Sequence, residues 1–383
     1  EAMRELAYEE GRENVCFVNV TYILEPGSLG EHKSKAAQLG LKSLMGLGIQ
    51  PDVVVCRSEN PVSDKIREKI SIYSNVPLER VINCHDVESI YHIPHFLKGI
   101  GVDRAIMDIL AIDGKTGPSL FERWNELAEK IKKPTRTLKI GMAGKYTNVH
   151  DSYLSILKAL EHTAPYIGAK VETVWVETTD IEEGRKTPEE LMKDLDGIIV
   201  PGGFGKRGIE GMIACSKYAR ENRIPYLGLC LGFQIALIDV ARNVCGLEEA
   251  NSTEFEPDTK QPVIDILPEQ KKLEGLGGNM RLGGKDVQIV EGTNAHRLYG
   301  KTLVRERFRH RFECNPEYIK MFEENGVVFS GMHPEFPIMQ ILEMPGHPFF
   351  MATQFHAEFT SRPLDPSPIF SGFLEAAIKR GEK

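Results

Sequence analysis

Apolar runs alternate with amphipathic stretches along the first third of the chain. Residues 15–24 and 51–58 are dominated by Val, Ile and other apolar side chains, a pattern that predicts two buried strands. Between them, residues 33–47 repeat apolar side chains at the spacing of one helix face. A strand, a helix and a second strand in this order predict a βαβ unit with parallel strands.

The same alternation restarts after residue 137. Four apolar runs separated by helical patterns predict strands at residues 138–146, 171–176, 197–203 and 224–229. A helix is expected from about Asp151, and residues 251–284, rich in Pro, Gly and polar residues, predict an excursion over one end of the sheet. Repeated strand and helix units predict an α/β fold with doubly wound parallel sheets.

A polar segment divides the two halves. Residues 132–137, KKPTRT, combine two lysines, a proline and polar side chains, which is typical of an exposed linker. A chain of 383 residues is also too long for one ordinary core. We therefore expect a first domain, a linker and a second domain at residues 1–133, 134–137 and 138–383.

Composition narrows the class of protein. The chain is 41% hydrophobic and 27% charged with a net charge of −8, which gives no reason to expect a nucleic acid polymer or an anionic membrane as partner. Its seven cysteines are scattered without a CxxC spacing, so neither a disulfide framework nor a zinc site is indicated, and a reducing cytoplasm fits best. No apolar run reaches the length of a membrane span.

Two segments resemble phosphate-binding loops. Residues 203–208, GFGKRG, match G-x-G-x-x-G after a strand, but the next strand ends in Cys230 instead of the acid that a dinucleotide site requires. A better explanation of these glycines is that they let backbone amides face a binding site. Residues 113–116, DGKT, resemble the end of a Walker loop, but Ile109 stands where its first glycine is needed.

Cys230 lies between two glycines at a predicted junction of strand and helix. Glycine at 228 and 232 removes the Cβ atoms that would clash in such a sharp turn. The helix N-terminus favours a thiolate at Cys230, and the amide of Leu231 would point toward a developing oxyanion. The alternative is a buried cysteine that packs as a small hydrophobe.

A histidine and an acid near the C-terminus could complete a triad. Residues 349–359 predict a strand whose end carries His356 and Glu358 two positions apart, hence on one face. A histidine can accept the thiol proton of Cys230, and a carboxylate can fix the imidazole tautomer. Taken singly, His356 could be a core histidine and Glu358 a solvated acid.

Three segments resemble the class I (triad) glutamine amidotransferases, namely PGGFG at 201–205, GLCLGFQ at 228–234 and QFHAEF at 354–359. The resemblance implies that Cys230 attacks the carboxamide of glutamine and releases ammonia, with His356 and Glu358 as its partners. It also implies an oxyanion hole made by the amides of Gly203 and Leu231.

Further segments throughout the chain are similar to the CTP synthase family: GEHKSKAAQ at 30–38, GIQPDVVVCRS at 48–58, HDVESIYHIP at 85–94, NSTEF at 251–255, GGNMRLG at 277–283 and RFRHRFECN at 307–315. The resemblance implies a glutamine site that includes Gly203, Leu231, Gly232, Phe233, Gln234, Glu254 and Arg311. Within it, Glu254 suits the ammonium group of glutamine and Arg311 its carboxylate. Without the resemblance, Arg305 to Arg311 could be a solvated basic face.

A nucleotide site is implied in the first domain. Residues that match the family's UTP- and CTP-binding positions are Lys33, Ser34, Lys35, Ala36, Ala37, Gln38 and Lys69, and Val87 matches the ATP-binding stretch. The family has Thr, Pro and Thr where this chain has Ser34, Ala36 and Ala37, so Ala37 loses a hydroxyl contact. Lysines at the start of a helix suit a triphosphate, although a solvated helix start has the same pattern.

The resemblance implies ATP-dependent amination of UTP to CTP with ammonia channelled from glutamine. ATP with Mg²⁺ is the expected cosubstrate, GTP the activator and CTP the inhibitor, with no prosthetic group and a homotetramer formed by the synthetase domains. Phe204 and Arg207 stand where a GTP-dependent lid would reach. The alternatives are the glutaminase of GMP or anthranilate synthesis and a non-catalytic nucleotide sensor.

One part of the family pattern is missing. The chain shows no Walker loop and none of the family's magnesium-binding carboxylates. We therefore expect residues 1–133 to be the later part of an amidoligase (P-loop-like) synthetase domain, with no metal ligands and an incomplete ATP and Mg²⁺ site in this chain.

Overall fold

The structure, a computed structural model, describes residues 1–27, 31–114, 119–145, 150–266 and 280–381. Parts of the DGKT segment, of the GGNMRLG segment and of the predicted strand at 138–146 lie outside these ranges.

The helices and strands alternate through most of the chain. The α-helices are α1 Ala2–Glu10, α2 Lys35–Gly46, α3 Asp64–Ser74, α4 Ile93–Gly99, α5 Val102–Ile109, α6 Ser119–Lys132, α7 Leu154–Thr163, α8 Thr178–Glu182, α9 Pro188–Met192, α10 Ile209–Glu221, α11 Leu231–Asn243, α12 Asn294–Tyr299, α13 Ile319–Glu324 and α14 Pro368–Gly381. The strands are β1 Val18–Tyr22, β2 Val53–Ser58, β3 Val81–His85, β4 Arg136–Gly144, β5 Ala169–Glu177, β6 Gly197–Val200, β7 Tyr226–Leu229, β8 Ala250–Ser252, β9 Gln261–Asp265, β10 Arg281–Ile289, β11 Leu303–His310, β12 Glu313–Cys314, β13 Val328–Met332, β14 Met339–Glu343 and β15 Phe350–Thr353.

The chain forms two compact units, Glu1–Glu129 and Lys130–Lys383. The division falls just before the linker expected at 134–137. The second half of that expected linker is strand, because β4 begins at Arg136 and pairs with β5 from its first residue. The lysines and the proline at 132–134 lie close to this division, whereas Arg136 and Thr137 are the exposed start of β4.

The first unit has a parallel sheet in the order β1-β2-β3. Its central strand is buried on both faces: Val54 and Cys56 pack in one apolar cluster with Leu41 of α2, and Val53 and Val55 pack in another. An uninterrupted apolar run is what a strand covered on both faces needs. The predicted βαβ unit is therefore confirmed.

The second unit has a nine-stranded sheet in the order β11-β10-β13-β14-β15-β7-β6-β4-β5. The five strands from β15 to β5 are parallel, as the strand and helix alternation predicts, and apolar clusters cover both faces. The other four strands extend the sheet in antiparallel pairing. This extension was not predicted, because β11 alternates exposed and buried residues around charged side chains.

The excursion expected at 251–284 is partly described. Strands β8, β9 and β12 form a small separate sheet, and β10 then returns to the large sheet. The predicted strand at 349–359 is shorter than expected: β15 ends at Thr353, and a 3-10 turn occupies Ala357–Phe359. None of the helices within the described ranges has the length and apolar character needed to span a bilayer.

Candidate active site

Cys230 occupies a strained turn between β7 and α11. Its backbone has φ 54° and ψ −96°, a conformation that non-glycine residues rarely adopt. A Cβ atom at Gly228 would lie 2.5 Å from the carbonyl oxygen of Gly232, and one at Gly232 would lie 2.1 Å from that of Val200. Both glycines are required by backbone contact, as the sequence predicts for a nucleophile elbow.

His356 and Glu358 reach the same edge of the sheet from β15. Strand β15 is parallel to β7, with Thr353 opposite Leu229, so the segments that follow the two strands meet. His356 Nδ1 lies 2.7 Å from Glu358 Oε1. The expected pairing is present, but its predicted cause was wrong: a turn brings the two side chains together, not the alternation of a strand. We call residues 356–360 the catalytic turn.

Cys230 and His356 converge above Gly202. A Cβ atom at Gly202 would lie 2.9 Å from His356 Cε1 and 3.5 Å from Cys230 Cβ, so a side chain there would intrude between them. Gln354 Nε2 lies 3.9 Å from Cys230 Sγ and donates to the Cys230 carbonyl oxygen at 3.3 Å. Backbone packing and this amide hold the cysteine in place.

The electrostatics of the site favour a charged histidine. Burial alone lowers the pKa of His356, but the negative charge and hydrogen bond of Cys230, together with those of Glu358, raise it to about 10. A histidine with this pKa is an imidazolium at neutral pH. The arrangement therefore favours the imidazolium form of His356, whose Nδ1–H donates a hydrogen bond to Glu358.

The loop that carries Gly203 lies against the side chain of Leu231. A Cβ atom at Gly203 would be 3.3 Å from Leu231 Cδ2, so the loop after β6 runs directly over the start of α11. Lys145 fixes this loop, because its Nζ donates to the carbonyl oxygens of Phe204 (2.6 Å) and Gly205 (2.7 Å). The loop after β6 and the start of α11 therefore both adjoin Cys230.

Sequence reasoning missed Lys145. The residue follows β4, whose end adjoins β6 in the parallel sheet, and that position was the available signal. Lys145 is 4% exposed, and burial lowers the pKa of its ammonium group. A buried lysine that holds two carbonyl oxygens stabilises a loop, residues 201–208, which contains four glycines.

The expected glutamine contacts divide into two groups. Glu254 Oε1 accepts a hydrogen bond from the amide of Gly205 at 3.0 Å, beside the loop after β6, and Arg311 is exposed just after β11. Gln234 and Phe233 lie deeper in the second unit. Gln234 Nε2 donates to Phe312 O (3.0 Å), and Phe233 is fully buried in the apolar core. The Phe233 side chain therefore packs in the core, and Gly232 serves the turn.

The expected nucleotide segment lines a cleft of about 600 Å³ in the first unit. Its lining consists of Glu31, His32, Lys33, Ser34, Lys35, Gln38, Ser63, Lys65, Ile66 and Lys69. Five of the seven expected residues are among them. Ala36 is exposed on α2, and Ala37 is buried in the apolar cluster with Leu41. Because Ala37 packs in this apolar cluster, core packing explains why its side chain carries no hydroxyl.

The stretch expected to adjoin ATP follows β3. Val87 is half-buried there, next to Asp86, which pairs with Arg57. His85 makes an edge contact with Phe96 at 5.1 Å between ring centroids. These contacts fix the backbone around Val87.

Comparisons with known proteins identify the family of the chain. The family model for class I glutamine amidotransferase matches residues 148–376, and the model for the CTP synthase N-terminus matches residues 1–112. The CTP synthase of Thermococcus kodakarensis is 50% identical over 382 residues, 99% of this chain and 70% of that protein. The CTP synthase of Methanopyrus kandleri is 46% identical, covering 100% of this chain and 71% of that protein.

A solved structure matches the second unit. The glutaminase domain of Trypanosoma brucei CTPS, with bound acivicin, is 35% identical and covers 63% of this chain and 94% of that chain, with a TM-score of 0.59. A glutaminase for GMP or anthranilate synthesis is not supported, because the N-terminal match is specific to CTP synthase. The matches on both sides of the division confirm the family indicated by the sequence motifs, and the chain belongs to the CTP synthase family.

Proposed function

We propose that the second unit hydrolyses glutamine at Cys230, with His356 and Glu358 completing its catalytic triad. The enzyme class to which the chain belongs is a glutamine-hydrolysing ligase that converts UTP to CTP. The assignment of the site rests on the arrangement of Cys230, His356 and Glu358 above Gly202. The negative charges of Cys230 and Glu358 both stabilise the positive charge of His356.

The chemistry follows from the charges. The Cys230 thiolate attacks the side-chain carbonyl carbon of glutamine, and the amides of Gly203 and Leu231 donate to the resulting oxyanion. The His356 imidazolium gives its proton to the leaving nitrogen, so ammonia departs and a glutamyl thioester remains. Neutral His356 then takes a proton from water, which attacks the thioester, and glutamate leaves while the thiolate and imidazolium return. Glu358 stays ionised throughout.

Substrate recognition completes the proposal for the second unit. Glu254 would pair with the α-ammonium group of glutamine and Arg311 with its α-carboxylate. Phe204, 48% exposed, and Arg207, which donates to the carbonyl oxygen of Lys145 at 2.5 Å, lie on the loop after β6. A GTP-dependent lid would act on the oxyanion hole through this loop.

In the first unit, the cleft beneath α2 would bind the triphosphate of UTP or CTP. Lys33, Lys35 and Lys69 supply three positive charges, and Ser34 and Gln38 supply polar side chains. ATP would lie beside Val87. Magnesium would accompany the phosphates of ATP. Tetramer formation through the first unit is part of the same proposal.

The direct test is glutamate release from glutamine by the purified chain, with and without GTP. Cysteine-dependent release that GTP raises is expected. Cys230→Ala should abolish release, whereas Cys245→Ala, at a half-buried cysteine packed against the core, serves as the matched control. Release that survives Cys230→Ala, or no release from the unmodified chain at any GTP concentration, would contradict the proposal.

A further inference from the structure

A buried carboxyl lies behind the catalytic turn. Glu306, on β11, is 3% exposed. Its neighbours along the strand, Arg305 and Arg307, lie on the opposite, exposed face. Its Oε1 accepts a hydrogen bond from the hydroxyl of Tyr299 at 2.8 Å, and Thr360 Oγ1 lies 2.9 Å from its Oε2. Tyr299 and Thr360 thus give both oxygens the partners that a buried carboxyl needs.

Thr360 connects Glu306 to the catalytic turn. Its Oγ1 also lies 3.2 Å from the carbonyl oxygen of Ala357, the residue between His356 and Glu358. A hydroxyl has one hydrogen, so Thr360 can donate to Glu306 or to Ala357, but not to both. If Glu306 is neutral, it donates its own proton to Thr360, which then donates to Ala357. If Glu306 is ionised, Thr360 must donate to the carboxylate, and the bond to Ala357 is lost.

We propose that Glu306 is a positioning residue of the glutaminase, which in its neutral form lets Thr360 bond to Ala357 and thereby holds His356 and Glu358 in place. The inference rests on the proposed function, because it concerns the same catalytic turn. Ionisation of Glu306 releases that bond and adds a second negative charge near Glu358. The glutaminase therefore carries a rate-lowering ionisation outside its triad.

The surroundings of Glu306 place this ionisation near neutral pH. Burial raises the pKa of Glu306 to about 7; the hydrogen bonds of Tyr299 and Thr360 oppose the shift, and the charge of Glu358 adds to it. Burial also raises the pKa of Tyr299 well above its ordinary value, so this neighbour stays neutral. As pH rises through about 7, Glu306 thus changes from the neutral to the ionised form.

Other ionisable groups stand on the elements around the turn. His356 bonds to Glu358, so its positive charge is compensated there. Lys285 stands opposite Glu306 in the pairing of β10 with β11 and is exposed, as are Arg305 and Arg307 on β11. His310, on the buried face of β11, lies 2.9 Å from Glu313. His162 on α7 contacts Ser361, and Arg362 donates to backbone carbonyls.

The test compares the pH profile of kcat for glutamate release, from about pH 5.5 to about pH 9, in the unmodified chain, Glu306→Gln and Glu306→Leu. The unmodified chain should lose roughly fivefold in kcat above neutral pH. In Glu306→Gln, the amide donates to Thr360 and accepts from Tyr299 at every pH, so the decline should disappear. Glu306→Leu cannot draw the Thr360 hydroxyl away from Ala357, so it too should lose the alkaline decline, with an unchanged KM for glutamine.

A second pair of variants gives an independent readout. Thr360→Val lacks the hydroxyl that bonds to Ala357 and should lose roughly tenfold in kcat throughout, whereas Thr360→Ser keeps it and should retain the profile of the unmodified chain. The inference is overturned if Glu306→Gln or Glu306→Leu keeps the alkaline decline, or if Thr360→Val is fully active. These results differ from a failure of the proposed function, in which the unmodified chain releases no cysteine-dependent glutamate and both ideas fall.

Discussion

The two candidate sites of this chain are built in opposite ways. In the second unit, Cys230 is 3% exposed, and its turn is confined by backbone contacts that exclude even one methyl group at Gly228 and Gly232. In the first unit, the side chain of Lys33 is 45% exposed, and its bond to Glu31 at 2.9 Å is a surface ion pair. Packing fixes the geometry of the Cys230 site in the second unit, whereas exposed charged side chains form the nucleotide cleft in the first unit.

The difference predicts different sensitivities. A buried site places its charges before the substrate arrives, so its rate depends on sub-ångström geometry and little on salt. Exposed lysines are ordered only when the ligand binds, and their attraction to phosphate is screened by ions. Small steric changes should therefore lower the rate of glutamine hydrolysis strongly, and raised ionic strength should weaken nucleotide binding in the cleft.

The largest effect is expected from Glu358→Gln. The amide cannot stabilise the imidazolium of His356 or hold its Nδ1 proton, so kcat for glutamate release should fall by roughly 10³-fold. Glu375→Gln, at an exposed position on α14, is the control and should leave kcat unchanged. A fall of less than about tenfold would mean that the acid is dispensable.

Gly232→Ala should be the most destabilising single methyl group in the elbow. Its Cβ would stand 2.1 Å from the carbonyl oxygen of Val200, a backbone atom that no side-chain rearrangement can move away. We expect a loss of about 3 kcal/mol in the free energy of unfolding, measured by denaturant titration. Gly346→Ala, where nothing lies within 4 Å of the added atom, should change it little. Equal stability of the two variants would contradict the packing account.

The charge of Cys230 should be visible in the titration of His356. The pKa of His356, about 10 with Cys230 present, should fall in Cys230→Ala, because the largest charge that opposes the burial effect is gone. Its raised pKa adds stability that is full below the ordinary histidine pKa and is lost as pH rises through about 10. Proton NMR titration of the His356 imidazole would measure its pKa in the unmodified chain and in Cys230→Ala. An unchanged titration would show that the two residues are not paired.

The nucleotide cleft should respond to charge in a graded way. Lys69→Ala should weaken UTP binding roughly tenfold at low salt, and raised ionic strength should shrink the difference. Lys42→Ala removes an equally exposed lysine from α2 outside the cleft lining, so it should have little effect. Isothermal titration would compare them. An equal loss of UTP affinity in both variants would mean that the cleft acts only as a general positive surface.

Sequence reasoning succeeded where local rules act alone. Glycine on both sides of Cys230 has one economical explanation, a sharp turn, and apolar runs between helical patterns identify parallel strands. The partnership of His356 and Glu358 was predicted for the wrong reason, because spacing two residues apart also fits a 3-10 turn. The approach of His356 to Cys230 came from the shared edge of β7 and β15.

Tertiary contacts explain what the sequence could not predict. Phe233 and Ala37 stand inside motifs, but their side chains are buried among apolar neighbours. Lys145 and Glu306 carry no motif of their own, since their roles depend on a loop from β6 and a turn after β15. A charged residue at the end of a strand or inside an alternating one does not reveal its partner before the sheet order is known.

The central claim is that Cys230 becomes acylated by glutamine. Acid quenching of the chain during turnover, followed by peptide mass spectrometry, tests it directly. The account predicts one glutamyl group on the peptide that contains Cys230, chased by hydroxylamine and abolished in Cys230→Ala. Turnover without any adduct under conditions that trap thioesters, or an adduct on another of the seven cysteines, would contradict it.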